Sequence, residues 1–299
     1  MSVFVQQQHS INDFSSSDSW VILSEIELSI KRKIEAAGTP LKDWDIQIYR
    51  GVLTGYNEAF IISTEKRDEI LANCHSEEER AKTAELIRPI LRGRDIKRYG
   101  YDWAGLWLIN THNGVKGVKP RIDINDYPAV KQHLDKYWDK ISKRADKGDT
   151  PYNLRNCAYV DDFSKPKIVW AELARTGNAF TTDFDCKTVG NTGYILTVKS
   201  DSKEDLYYLL GFLNSRILLY CLNQITSRFD ENGWRWLRQF VEQLRIPKFI
   251  NKDVIVSIVS ETNRYNQPEN SEIINAYVAK TFGLSEEELS YINISLDGY

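Results

Sequence analysis

Arg50, Thr54, Tyr56 and Asn57 fall on or beside one glycine-shouldered stretch, Arg50-Gly-Val-Leu-Thr-Gly-Tyr-Asn57. They offer a guanidinium, a hydroxyl, a stacking ring and a carboxamide to one surface. Guanidinium and carboxamide groups can each make paired hydrogen bonds to a base edge, so the chemistry is that of recognition. A merely solvated polar turn is the alternative reading. Three other clusters have a similar make-up. Arg92, Arg94, Lys97 and Arg98 surround Gly93 ahead of the apolar run Leu106-Trp-Leu-Ile109. They suit phosphate contact, or form a solvated charge run that Asp95 partly neutralises. Lys143 and Arg144 precede Pro151-Tyr-Asn-Leu-Arg-Asn-Cys157, where Tyr152, Arg155 and Asn156 are either base readers or plain connection. Arg228 to Trp236 interleaves Arg228 and Arg235 with Trp234 and Trp236, a mixture for phosphate contact plus stacking or a wedge. Turns carrying Arg175, Asn178 and Lys187 complete the set.

Catalytic constellations are sparse. The histidines number four and do not cluster, and Walker, HExxH and GxSxG patterns are absent. Asp185-Cys-Lys187, with Asp161 or Asp162 upstream, matches the short half of a metal-dependent nuclease motif. That reading requires Asp162, Asp185 and Lys187 to converge. The four cysteines (Cys74, Cys157, Cys186 and Cys221) form no CxxC pair, which argues against zinc or a disulfide framework and fits a reducing cytoplasm. No basic-then-apolar leader is seen, and the longest apolar run, Leu206 to Leu222, is interrupted by Asn214, Ser215 and Arg216, so no membrane association is expected. Net charge is −3, so a nucleic-acid binder of this balance must segregate its cations onto one face.

Five stretches occur in an order that resembles the TaqI-like C-terminal specificity domain. This is the target-recognition domain of N6-adenine DNA methyltransferases and of fused, type IIG-like restriction-modification enzymes. They are Arg50-Gly-Val-Leu-Thr-Gly-Tyr-Asn-Glu-Ala-Phe-Ile-Ile62, Pro89 to Tyr99, the proline-led helix ahead of the 143–156 loop, Lys165-Pro-Lys-Ile-Val-Trp-Ala-Glu172, and the Leu-Leu-Gly-Phe-Leu-Asn-Ser-Arg run ending at Arg216. Leu244-Arg-Ile-Pro-Lys248 departs slightly from the family's second-proline pattern, and the likeness fades after about Phe249. The resemblance implies an α+β fold: a curved, mostly antiparallel sheet backed by helices, with a helical C-terminal appendage. It implies sequence-specific recognition of double-stranded DNA beside a methyltransferase catalytic domain or subunit. Neither the glycine-rich S-adenosylmethionine loop nor the Asn/Asp-Pro-Pro-aromatic motif of such a catalytic half is found here. The chain is therefore expected not to methylate DNA alone, with the cofactor on the partner. A protein-interaction module without DNA contact is the competing class, supported by the net charge.

The elements that must position these residues follow from pattern. Residues 1–19 read as a flexible segment and 20–43 as a connector helix, with Ile22, Ile26, Ile30 and Ile34 in one stripe, Ser19 or Asp18 as cap and Gly38 as stop. Residues 44–249 form the recognition domain and 250–299 the helical appendage. Within the recognition domain, Asp45 to Ser63 predicts a hairpin, with Gly51 and Gly55 supplying turn angles. A single helix is expected over 127–145 with Val130, Leu134, Trp138 and Ile141 facing inward, and another over 203–224 as the central core helix.

Overall fold

The run Gly193-Tyr-Ile-Leu-Thr-Val198 is buried from end to end, on both faces of the strand it forms. Such a strand needs cover on each side, and the chain supplies a different cover to each. The computed structural model describes residues 23–174, 177, 179–226, 228–230, 233–249, 252–265 and 270–297. In chain order its main elements are α1 (Glu25–Ala37), β1 (Ile46–Arg50), β2 (Ile61–Ser63), α2 (Thr64–Ala72), α3 (Glu77–Leu86), β3 (Ile87–Leu91), β4 (Leu106–Ile109), α4 (Pro128–Asp135), β5 (Lys167–Ala171), β6 (Phe180–Asp183), β7 (Thr188–Val189), β8 (Gly193–Val198), α5 (Lys203–Leu213), α6 (Arg216–Ile225), α7 (Lys252–Tyr265), α8 (Asn270–Phe282) and α9 (Glu286–Asp297).

The central sheet has the order β6-β5-β8-β1 and is antiparallel throughout. A second sheet, β7-β3-β4-β2, is antiparallel except for the β7–β3 pair. Side-chain alternation sorts the central strands between two cores. Ile48, Ile168, Trp170, Phe180, Leu196 and Val198 face α5 to α9. Val169 and Ile195 face the second sheet and its helices. The fold is α+β, as the sequence implies. The C-terminal helices contribute Ile255, Val259, Ile274, Val278, Phe282 and Ile292 to the first of these cores. Among the described residues no helix is long and apolar enough to cross a membrane.

Three local expectations are corrected. The stretch Asp45 to Ser63 is not a hairpin. Strand β1 pairs with β8, whereas β2 pairs with β4, and a short helix, Asn57–Phe60, lies between them. The polar alternation was real, but two different sheets claim its two halves. The helix expected over 203–224 is two. Asn214 is fully buried and turns its carboxamide onto Phe180, accepting from the backbone amide at 3.0 Å and donating to the carbonyl at 2.9 Å. Ser215 then caps α6 by accepting from Leu218 N at 3.2 Å. The helix over 127–145 also breaks, at Lys136–Tyr137, into α4 and a single turn, Trp138–Ile141. The connector helix, as described, begins at Glu25 behind a Ser24 capping box and stops at Gly38, with Ile30 and Ile34 buried; Ile22 and the caps proposed upstream lie outside the described residues.

The connector is held at both ends. Thr39–Pro40 pairs with Arg245–Ile246, closing the recognition domain on itself. Helix α1 is also tied to α9: Ser29 and Lys33 each donate to the buried Glu288 at 2.7 Å, and Tyr291 donates to Glu27 at 2.9 Å. Burial alone would raise the Glu288 carboxyl, but Lys33, the Ser285 amide and Ser29 outweigh it and hold the pKa at about 2. A carboxylate depressed in this way stabilises the fold above its ordinary value near 4.5 and loses that contribution as pH falls towards about 2. Glu288→Gln should therefore lower stability by about 1–2 kcal/mol at neutral pH and flatten the acid limb of a melting-temperature titration. An acid limb unchanged from wild type would show that the α1–α9 tie contributes nothing.

Candidate nucleic-acid interface

The glycine stretch that follows β1 is shaped by a close approach. A Cβ on Gly51 would lie 2.0 Å from the Gly190 carbonyl oxygen, so the backbones of 51 and 190 cross at a distance only glycine permits. Gly51 N donates to Gly193 O at 2.9 Å, and Val52 N to Val189 O at 2.7 Å. The left-handed backbone that the sequence suggests occurs at Gly55, with φ +69°.

This crossing gathers the first group of loops around Asn191 and Thr192. Arg50 reaches across the end of the central sheet to the Asn191 carbonyl at 3.0 Å and to the Glu172 carboxylate at 2.8 Å. Gly93 N donates to Thr192 Oγ1 at 2.9 Å, docking the 92–95 loop on the same turn. Arg92 is clasped by Asp95 through contacts of 2.6 to 3.2 Å, which raises its guanidinium pKa further. Arg94 and Lys97 remain exposed, Lys97 bonding only the Arg94 carbonyl at 3.1 Å. Arg235 is exposed on the strand Gly233–Arg235, which pairs with Leu173–Ala174 beside Glu172.

A second group is assembled by Arg144. Its side chain is 7% exposed and lies over the Phe60 ring at 4.4 Å. One terminal nitrogen donates to Thr54 O and, at 2.7 Å, to Asp146 O; the other donates to Asn153 O and, at 3.1 Å, to Pro151 O. Burial pushes its pKa down to about 10, with Asp146 opposing, so it stays charged at neutral pH. Arg144 is thus a strut that locks residues 144–153 onto the 54–57 turn. Thr54, likewise buried, donates to Asn57 Oδ1 at 2.5 Å and holds that exposed side chain in place. Asn113 bonds Asn156 and also spans Asp149, fixing the far end of the loop. Arg155 is exposed and shares Asp146 at 3.0 Å. Tyr56 is half-buried and donates to Glu58 at 2.5 Å. Tyr152 donates to Asp135 at 2.5 Å.

Several candidates therefore serve the scaffold. Trp236 is fully buried, stacked on Phe180 at 5.5 Å, and its carbonyl accepts from Trp170 Nε1 at 2.9 Å. Trp234 is 9% exposed in the same core. Neither can wedge DNA from that position. Arg98 turns inward to the Asn214 carbonyl at 2.5 Å. Lys187 is buried between Tyr101 and Asp185, at 2.9 and 2.7 Å. Burial, helped by Asp183 and Asp185 and opposed by Lys187, pushes Tyr101 up to about 12. The aromatic and basic alternation was correctly noted, but alternation on a strand sends every second side chain into the core. Arg175 and Asn178 lie outside the described residues, as does the side chain of Arg228. The nuclease arrangement does not form among the described residues. Asp162 pairs with Lys165 at 2.7 Å, Asp185 pairs with Lys187, and no group of three potential metal ligands converges.

The family of the TaqI-like C-terminal specificity domain matches residues 88–246, more than half of the chain. The chain belongs to that family. Among relatives, the type II methyltransferase M.PaeR7I of Pseudomonas aeruginosa is 21% identical over 281 residues, covering 92% of this chain and 45% of the relative. The type II methyltransferase M.MjaIV of Methanocaldococcus jannaschii is 24% identical over 255 residues, covering 82% of this chain and 76% of the relative. Two solved structures share the fold. The type IIG restriction endonuclease BpuSI gives a TM-score of 0.54 at 16% identity, over 89% of this chain and 31% of that one. The type IIL restriction-modification enzyme MmeI, in complex with DNA, gives 0.58 at 13%, over 87% and 36%. The chain thus spans just under half of M.PaeR7I and about a third of each solved structure. The family match contains four of the five resembling stretches and the strut Arg144; the glycine stretch after β1 lies just before it.

Sequence reasoning missed one exposed group. Trp138 was placed on an inward face by its spacing from Leu134 and Ile141, yet it is 43% exposed because the helix breaks one residue earlier. The aromatic pair Tyr137-Trp138 between lysines was the available signal.

The strut assignment separates Arg144 from a DNA contact. Arg144→Ala should destabilise the fold by about 3 kcal/mol, since it leaves buried carbonyls unpaired. Arg144→Lys should recover little, because one ammonium cannot span four carbonyls. Chemical denaturation tests this; a neutral Arg144→Ala would refute the strut.

Proposed function

We propose that this chain reads the target sequence for a type II adenine-N6 DNA methyltransferase or fused restriction-modification enzyme, and that it supplies no chemistry itself. The reading rests on one observation: within a specificity-domain family, two groups of loops are braced by buried polar groups, and several cations on their surface make no ion pair among the described residues. Arg94, Lys143 and Arg235 are exposed and make no ion pair among the described residues, and Lys97 has only a carbonyl. These cations suit phosphate oxygens. Asn57, Arg155 and Asn156 are exposed on the loops that Arg144 braces, held by Thr54, Asp146 and Asn113, and suit base edges in the major groove. Arg50 is offered to the same surface but already shares Glu172, so it contributes less net charge.

Catalysis belongs to a methyltransferase partner domain or subunit on this reading. That partner would hold S-adenosylmethionine and extrude the adenine, which takes a few kcal/mol. The cell compartment would be the cytoplasm, where four unpaired cysteines persist.

Selection from a random-sequence duplex pool at low salt should enrich a short motif, with affinity falling as salt rises. Arg94→Ala and Lys97→Ala should each flatten the log–log salt slope by about 1 without changing the motif, while Asn156→Ala should relax preference at one position. Salt-sensitive binding without a motif would mean that reading needs the catalytic partner. No binding at low salt would favour a protein-interaction module instead.

A further inference from the structure

The break at Lys136–Tyr137 turns Trp138 away from the core that its neighbours Leu134 and Ile141 enter. Exposure of one aromatic ring carries no message alone. Three surrounding facts give it one. First, the ring is buttressed: Trp138 packs on Tyr152 at 5.3 Å, and Tyr152 is fixed by its bond to Asp135 and by Lys131 Nζ, 5.5 Å above its ring. Lys131 also pairs with Asp135 at 2.9 Å, so that carboxylate is already neutralised. Second, Lys136, Lys140 and Lys143 flank Trp138, are exposed, and make no ion pair among the described residues. Against these three cations the run 136–143 holds one carboxylate, Asp139. Third, the ridge adjoins the group of loops that Arg144 assembles: Tyr137 lies 6.1 Å from Tyr56, and Tyr152 belongs to the loop that carries Arg155 and Asn156.

A rigid, solvent-facing indole among unpaired lysines fits a polyanion that carries flat apolar faces. We propose that Trp138 is a stacking contact to double-stranded DNA, packing its face against a deoxyribose–base unit at the edge of the recognised site, with Lys136, Lys140 and Lys143 on the flanking phosphates. The inference rests on the DNA-reading function above. It adds an aromatic contact that neither Trp234 nor Trp236 can make, since both are buried.

Stacking and charge have different signatures. An uncharged aromatic contact releases no counterions, whereas each phosphate contact adds to the salt slope. With the full chain and the duplex pool that wild type retains, Trp138→Ala should weaken binding about tenfold and leave the salt slope unchanged. Trp138→Phe should recover most of the affinity, and Lys140→Ala should flatten the slope by about 1. Trp138→Phe should keep the wild-type melting temperature, and Trp138→Ala should lower it only slightly, since the lost packing is confined to Tyr152 at the surface. Indole emission gives a second readout: duplex should quench wild type more than Trp138→Phe. Wild-type affinity in Trp138→Ala, or equal quenching in Trp138→Phe, overturns the stacking contact while leaving DNA reading intact. A wild-type chain that binds no duplex, with or without a catalytic partner, overturns both.

Discussion

A strand buried on both faces sets the architecture. Strand β8 sits in the interior of an antiparallel sheet, and antiparallel sheets commonly leave one face to water. Here neither face can be left, because Ile195 points one way and Tyr194 and Leu196 the other. Helices α5 to α9 must cover one side, and the second sheet with α2 to α4 the other. The loops joining these layers are thereby forced to the ends of the sheet. The candidate reading surface is a consequence of that packing: the β1 end, the Asn191–Thr192 turn and the 92–95 loop meet because β1, β8 and β3 are held in adjacent layers.

Buried polar groups brace the sheet and its loops. Arg144 bonds four carbonyls, Asn214 pairs with both backbone groups of Phe180, and Lys167 is paired with Asp183 at 2.7 Å with neither side chain exposed. Asp183 also accepts from the amides of Asp185 and Lys187, and Lys167 donates to Phe163 O at 2.8 Å. Each ion is surrounded by partners, which is what makes burial of charge tolerable. Such networks fix loop geometry more than they add stability. A domain that discriminates among bases gains from this, because a side chain that wanders by an ångström pairs with several bases almost equally.

A net charge of −3 does not fix the sign of any one face. Glu288 is buried against Lys33, Asp95 clasps Arg92, Asp183 neutralises Lys167, and Glu172 takes Arg50, so each of these acids is cancelled by a cation. Arg94, Lys97, Lys143 and Arg235 are exposed and engage no carboxylate among the described residues.

The sequence by itself determined the family, the α+β class and the ends of many elements. Those features depend on local chemistry: capping serines, a left-handed glycine at position 55, and apolar runs long enough to mark buried strands. It also named most of the loops that carry Arg94, Lys97, Lys143, Arg155 and Asn156. Only the tertiary structure decided which cations are free and which are struts. Arg144 and Lys143 are neighbours in the chain and identical in charge, yet one is buried under four carbonyls and the other meets solvent. The same applies to Trp138, exposed by a helix break at Tyr137, and to Trp236, buried just beyond its strand by stacking on Phe180. These outcomes turn on partners up to 90 residues away, which no local pattern encodes. The hairpin over 45–63 failed for that reason: its two strands satisfy their backbone hydrogen bonds with β8 and β4 in preference to each other.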